Sequence, residues 1–164
     1  AIAKNYATNY LLKLHKNTKF PVVIVRPYQV YGPYQDLNRL IPIVIHNCLK
    51  NNKFPCSDGK QYRDFLFVED FSKIVFKLLF NKRCEGEIFN IGYGKAYNVK
   101  RVINLIQKLV NRGSPQFGKI KLRKEENLYT FPSIKKIQKF ISLPKNKKLK
   151  DGLIKTIKFY RGGN

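Results

Sequence analysis

Several polar residues stand where the apolar pattern of this sequence should continue. Arg26 closes the β-branched run "VVIV", the adjacent Arg63 and Asp64 open "YRDFLF", and Asn90 interrupts "EIFNIG". A charge or amide inside an apolar strand has to be paired or to face a ligand, because burying it alone is costly. In open α/β sheets ligands collect at the carboxyl ends of the strands, where Arg26 and Asn90 fall. An anion would suit Arg63, whose planar fork can grip two oxygens at once. The alternative at each position is an internal ion pair or a hydrogen bond that fixes a loop.

Other chemistries find less support. No glycine-rich loop ends in Lys-Ser or Lys-Thr, as phosphate cradling of the nucleotide-hydrolase kind requires. "GYGKAY" follows a strand as a dinucleotide loop would, but its third Gly is missing and no acidic residue closes a following strand, so it reads as a plain turn. His15 lies on a Lys-rich helix and His46 sits between apolar residues; neither has a nucleophile or metal partner at useful spacing. The three cysteines, Cys48, Cys56 and Cys84, match no zinc pattern and are read as reduced and structural, so no metal site is expected.

The elements that must position these residues alternate between the two periodicities. Tyr6, Tyr10 and Leu14, with Ala7 and Leu11, draw one apolar stripe on a helix from Ala3 to His15. Val22 to Val25, between Pro21 and Pro27, predicts a strand buried on both faces. Residues 28–39 read as a loop, and "LIPIVIHNCLK" as a largely buried helix that tolerates Pro42 in its first turn. "SDGKQ" is a turn, "YRDFLF" a strand, and "EDFSKIVFKLLF" an amphipathic helix with two carboxylates at its N-terminus. "GEIFNIG" is a further buried strand, and Asn98 is expected to cap the helix "VKRVINLIQKLV". After the loop "NRGSPQFG", "KIKLR" looks like an exposed strand, Ser133 a cap for "IKKIQKFI", and "KLKDGLIKTIKFY" a last helix with Leu149, Leu153, Ile157 and Tyr160 on one face. One sheet with an inserted accessory lobe would accommodate this order.

The 164 residues, 43% hydrophobic and 13% aromatic, allow one domain with a core of its own. No apolar run approaches the roughly 18 residues of a membrane span and no signal peptide is evident, so a cytoplasmic protein without membrane contact is expected. The net charge of +23 invites a nucleic-acid reading. Lys outnumbers Arg about threefold, however, the basic residues are spread along the chain, and no groove-reading motif appears. A basic nucleic-acid-binding or non-catalytic interaction module is therefore kept only as the alternative.

The order of "RPYQVYGP", "RLIP", "DGKQYRDFLFVED", "GEIFNIG" and the C-terminal "DGLIKTIKFYR" resembles the extended short-chain dehydrogenases that act on nucleotide sugars, the NAD-dependent epimerases and 4,6-dehydratases. The likeness runs from residue 1 to about residue 161. It implies an α/β fold holding the C-terminal part of a Rossmann-like parallel sheet and a smaller α/β substrate-binding lobe. Residues 1–27 and about 86–92 would be Rossmann elements, and about 28–85 and 93–161 the lobe and its connections. It also implies NAD or NADP as cofactor, a nucleotide-diphosphate sugar as partner, and a homodimer.

The site residues follow from the same resemblance. Lys4 matches the Lys of the family's Tyr-x-x-x-Lys, which puts the catalytic Tyr immediately before Ala1. The sequence is thus expected to be a C-terminal half, inactive alone, with the residues that separate epimerase from dehydratase upstream. A Lys one helical turn from the Tyr can depress the phenol pKa and hold the nicotinamide ribose. Pro27 and Tyr28 correspond to backbone that lines the nicotinamide. Gln29 stands where an Asn usually touches the substrate diphosphate. Leu40, Ile41, Pro55 and Ser57 correspond to segments enclosing the nucleotide base, Arg63 to the diphosphate-binding Arg, and Asn90 to a further phosphate contact. "RKEENLYTFPS" departs from the frequent Gly-Asp-Arg wording but offers Arg123, and Ser133 replaces a frequent Asp.

Overall fold

The computed structural model describes residues 2–145 and 147–162. Six α-helices are present among them: α1 (Ile2–Thr18), α2 (Leu40–Leu49), α3 (Val68–Leu79), α4 (Val99–Val110), the short α5 (Lys135–Gln138) and α6 (Leu149–Arg161). The strands are β1 (Ile24–Pro27), β2 (Gln29–Tyr31), β3 (Lys53–Pro55), β4 (Tyr62–Phe67), β5 (Ile88–Ile91), β6 (Ala96–Asn98), β7 (Ser114–Gln116) and β8 (Tyr129–Thr130). They form three small sheets rather than the single one expected. β1 pairs with β5 in parallel, β3 pairs with β7 in parallel, and β4 is flanked by β2, β6 and β8. No helix among the described residues is long and apolar enough to cross a membrane.

The longest strand, β4, organises the rest. Successive side chains on a strand point to opposite faces, and β4 is buried on both from Asp64 onward. Phe65 and Phe67 join a core with Tyr31 of β2 and the apolar faces of α2, α4 and α6. Leu66 joins a second core with Ile74 and Leu78 of α3, Phe89 and Ile91 of β5, and Ile137. Burying side chains of this size stabilises by about 1.5–3 kcal/mol each. Gly152 lets α6 approach β2 closely, since a Cβ there would collide with the Tyr31 hydroxyl, which donates to the Leu149 carbonyl at 3.2 Å.

The strand periodicity also separates Arg63 from Asp64. Asp64 is fully buried, and its carboxylate accepts backbone N–H groups from Tyr93 at 2.7 Å, Gly94 at 2.7 Å and Lys95 at 3.2 Å. Burial raises its pKa, against the pull of those three donors. "GYGKAY" is thus a turn tied to a carboxylate, which links the end of β5 to the sheet around β4.

Several expectations are corrected. β1 starts at Ile24, not Val22, and is half-buried at Ile24 and Val25 and exposed at Arg26 and Pro27, because β5 is its sole sheet neighbour among the described residues. Residues 119–123 are not a strand: the pairing strand is β7, inside the segment read as loop, which docks in register on β3. Ser133 does not cap α5, which is preceded by Ile134 with no side-chain cap. Residues 29–31, read as loop, are β2. Asn98 does cap α4, accepting from the Arg101 N–H at 3.1 Å, and Leu149, Leu153 and Ile157 do form the buried face of α6. α1 shows the expected helix but no fully buried residue, and its stripe residues Tyr6 and Tyr10 are exposed. All three cysteines are buried thiols, and burial with a nearby Cys56 pushes Cys48 up to about 11.

Asp64→Asn keeps the shape of the side chain but turns an amide N–H₂ toward backbone N–H groups that need an acceptor. It is expected to cost about 2 kcal/mol, read as a lower midpoint in chemical or thermal unfolding. An unchanged midpoint would show that the three bonds contribute little.

Candidate functional site

Alternation along β4 and the residue before it also builds a wall. Gln61, Arg63 and Phe65 lie two apart and all face one cavity of about 410 Å³. Gly59, just upstream, has φ +68°, and a Cβ there would meet the backbone of Lys100. The resulting turn lets the first amides of α4 bond back, Lys100 N–H to the Gly59 carbonyl at 3.0 Å and Val99 N–H to the Gln61 carbonyl at 2.8 Å. Gln61 and Arg63 are therefore mounted on rigid backbone. Leu40, Ile43 and Val44 of α2 form the opposite apolar wall, and Val99 and Ile103 of α4 close another side. Phe54, Pro55, Cys56 and Ser57 contribute a further edge, and residues 120–123 with Glu126 lie along the rim.

The cavity is apolar in its walls and charged at one end. Arg63 donates through Nη1 to the carbonyls of Tyr62 at 2.8 Å and Leu128 at 3.3 Å, and through Nη2 to Glu126 Oε1. Among the described residues, its Nε–H and the second N–H of Nη2 carry no hydrogen bond, so the guanidinium is held on one side and available on the other. Arg123 and Lys121 add exposed positive charge at the same rim, with Glu126 the single carboxylate on the lining. This end can bind an anion, and the apolar walls can take a flat or ring-shaped group.

Six of the residues singled out in the sequence meet here: Gln29, Leu40, Pro55, Ser57, Arg63 and Arg123. Ile41 does not, because it turns into the core of α2, α4 and α6 and is 2% exposed. The others lie elsewhere. Pro27 ends β1 and Tyr28 follows it, with its N–H donating to the Ile91 carbonyl at 2.9 Å. Arg26 and Asn90 are register partners on the parallel β1 and β5, so both exposed side chains stand on the same face near the carboxyl ends. Lys4 is exposed in the first turn of α1. Among the lining residues that were not candidates are Gln61 and Glu126. Gln61 follows the i, i+2 alternation back from Arg63 and Phe65, a signal hidden by its place in the turn "SDGKQ". Glu126 had no sequence signal, since only the tertiary path of residues 120–128 brings it to Arg63.

Comparison with known proteins decides the family. A family model described as the NAD dependent epimerase/dehydratase family matches residues 1–92. The chain belongs to this family. A dTDP-glucose 4,6-dehydratase of Haemophilus influenzae is 35% identical over 113 residues, which cover 65% of this chain and 33% of that protein. Pal from Bacillus thuringiensis superimposes with a TM-score of 0.86 at 29% identity, over 96% of this chain and 51% of that one. A UDP-glucuronic acid 4-epimerase from Bacillus cereus, solved in complex with UDP-glucuronic acid and NAD, gives 0.83 at 26% identity, over 94% and 50%. The chain thus spans about a third of the length of the curated relative it matches and about half of the solved structures. The α/β architecture with parallel strand pairs is that of the epimerase/dehydratase structures. Among the described residues of this family member, no group of three or more His, Cys, Asp and Glu side chains is placed to hold a metal ion.

Removing the rim carboxylate tests how residues 123–130 are held. The Arg63 side chain is 12% exposed and that of Glu126 30%, so the pair is partly shielded from water. Glu126→Gln is expected to cost about 1–2 kcal/mol and to speed amide hydrogen exchange at Tyr129 and Thr130, which pair with β4 beside Arg63. Unchanged exchange there would mean that the β8 pairing and the Tyr62–Tyr129 ring stack hold the segment without the ion pair.

Proposed function

We propose that this chain is the substrate-binding part of an NAD-dependent enzyme that oxidises a sugar hydroxyl carbon of a nucleotide-diphosphate sugar, as an epimerase or a 4,6-dehydratase. One observation carries the reading. Six side chains that the family resemblance assigns to substrate, scattered from Gln29 to Arg123, line a single cavity with an arginine held at its charged end. The relative named as a dTDP-glucose 4,6-dehydratase and the epimerase solved with a UDP-sugar and NAD support the substrate class and the cofactor.

In this reading the Arg63 Nε–H and remaining Nη2 N–H donate to diphosphate oxygens, with Arg123 adding charge at the rim. Gln29 keeps the amide of the usual Asn one methylene further out. Leu40, Pro55 and Ser57 enclose the nucleotide base, and Ile41 acts through the core, where it fixes α2. Asn90 is a further phosphate contact. Pro27 and Tyr28 fit one wall of a nicotinamide site, since they lie at the carboxyl end of a parallel strand pair, where open α/β sheets take their ligands. NAD, or NADP, when bound, supplies the acceptor for the hydride leaving the sugar carbon. Lys4 lowers the pKa of a tyrosine one helical turn before it and holds the ribose of the cofactor.

Residues 1–27 and about 86–92 are assigned in the same proposal to the Rossmann part, and about 28–85 and 93–161 to the substrate lobe. A homodimer through α1 belongs to it too, supported by a helix without a fully buried residue and with Tyr6 and Tyr10 exposed. The enzyme is proposed to be cytoplasmic.

In the intact protein, Arg63→Ala is expected to weaken UDP or dTDP binding by about 30–100-fold, measured by calorimetry. Lys4→Met is expected to lower kcat for an NAD-linked reaction of a nucleotide sugar by at least about 100-fold. The 164 residues alone should give no such turnover, because they hold neither a dinucleotide glycine loop nor a Tyr-x-x-x-Lys. Salt-dependent RNA binding with no affinity for UDP or dTDP in the intact protein would instead favour the basic-module alternative.

A further inference from the structure

The outward face of α3 is apolar where the solvent face of a helix is ordinarily polar. The inner face of this helix joins the second core through Ile74 and Leu78. On the opposite arc, Phe76 and Leu79 of α3 and Phe80 just after it follow the i, i+3, i+4 spacing that gathers side chains on one side of a helix. They are 65%, 69% and 70% exposed, and the two rings meet with centroids 4.7 Å apart. Three large side chains left about two-thirds exposed make a patch on the order of 300 Å², a size that often marks an interaction site.

Cations frame the patch. Lys73 and Lys77 stand on the same outward arc, and exposed Lys82 and Arg83 follow in the next turn. Asn81 Nδ2 and Lys77 Nζ donate to the carbonyls of Phe140 at 3.0 Å and Ser142 at 2.9 Å, which brings exposed Lys139 alongside. No Asp or Glu occurs from Phe71 to Cys84. Glu69, at the far end of the face, is paired with Lys155 at 2.8 Å and Lys147 at 3.4 Å. A second copy seated on this face would set these like charges against each other. Protein interfaces are depleted in Lys, which supplies four of the five cations here. Helices that lie on membranes, in contrast, combine Phe and Leu with Lys, whose stems run along apolar surface while the ammonium stays among the headgroups. We propose that this face of α3 docks on an anionic lipid bilayer, with Phe76, Leu79 and Phe80 entering the headgroup boundary and the surrounding cations meeting acidic headgroups. The absence of a membrane span does not bear on such a contact, since a helix lying in the interface needs none.

The experiment uses the intact protein and co-sedimentation with phosphatidylcholine vesicles that contain or lack phosphatidylserine. Wild type is expected to bind the anionic vesicles and not the neutral ones, with affinity falling as salt rises. The double variant Phe76→Ser, Phe80→Ser keeps every charge and is expected to weaken that binding by at least about tenfold. Lys82→Gln combined with Lys139→Gln keeps the apolar patch and is expected to weaken it about tenfold as well. Hydroxyl-radical footprinting of wild type needs no substitution: Phe76 and Phe80 should be reactive in the free protein and protected on anionic vesicles. Binding that the serine variant retains in full, or binding without protection of the two rings, would assign the attraction to charge spread over the surface and overturn the docking site. Rings already protected without vesicles would place another part of the chain on the patch, or a second copy if the protection is lost on dilution, and either result overturns the proposal. No binding to the anionic vesicles, with both rings reactive, overturns it too and leaves an acidic protein as the occupant to be sought.

Discussion

The buried carboxylate of Asp64 is the constraint on which the arrangement depends. Its two oxygens take three consecutive backbone N–H groups, from Tyr93, Gly94 and Lys95, in a place where no water competes. Those residues connect β5 to β6, so the contact ties the parallel pair β1–β5 to the sheet around β4. The close packing of Gly92 against Asp64 and Pro132 belongs to the same joint. With Asp64 turned inward, the alternation of a strand leaves Arg63 and Gln61 no choice but the opposite face. The anion-binding end of the cavity is a consequence of an internal bond on the other side of the same backbone.

The distribution of charge within the cavity matters more than the large net charge. Most of the lysines are exposed and spread over the surface, where they are screened. Arg63 is different, because its side chain is 12% exposed and three of its contacts are to the protein itself. A guanidinium fixed along one edge loses little further entropy on meeting a ligand, which is what preorganisation means for an anion site. Glu126 has two effects on the site: it partly neutralises Arg63 and it anchors residues 123–130 beside β4.

Much of the candidate site was legible in the sequence because it rests on short motifs with local meaning. "RPYQVYGP", "RLIP" and "DGKQYRDF" named Gln29, Leu40 and Arg63, and the structure gathers these with Pro55, Ser57 and Arg123 around one cavity. Ile41 was legible as part of the same motif but not as a core residue, since neighbouring positions on a helix point about 100° apart and only packing shows which faces inward. β2, β3, β6, β7 and β8 escaped notice because two or three residues are too few to display a period. "KIKLR" has the composition of a strand without a partner to pair with, whereas "SPQ", which has a poor strand composition, finds β3.

The sequence by itself determined the family, the amphipathic helices α4 and α6, the Asn98 cap, and which residue types are present for binding a charged ligand. These are local properties, set by periodicity and by side chains acting on their own backbone. Only the tertiary structure decided that Asp64 faces a turn while Arg63 faces a cavity, that Glu126 reaches Arg63 across sixty-three positions, and that Gln61 is left with an unpaired buried oxygen. Those outcomes depend on where distant backbone comes to rest, and neither composition nor spacing records it.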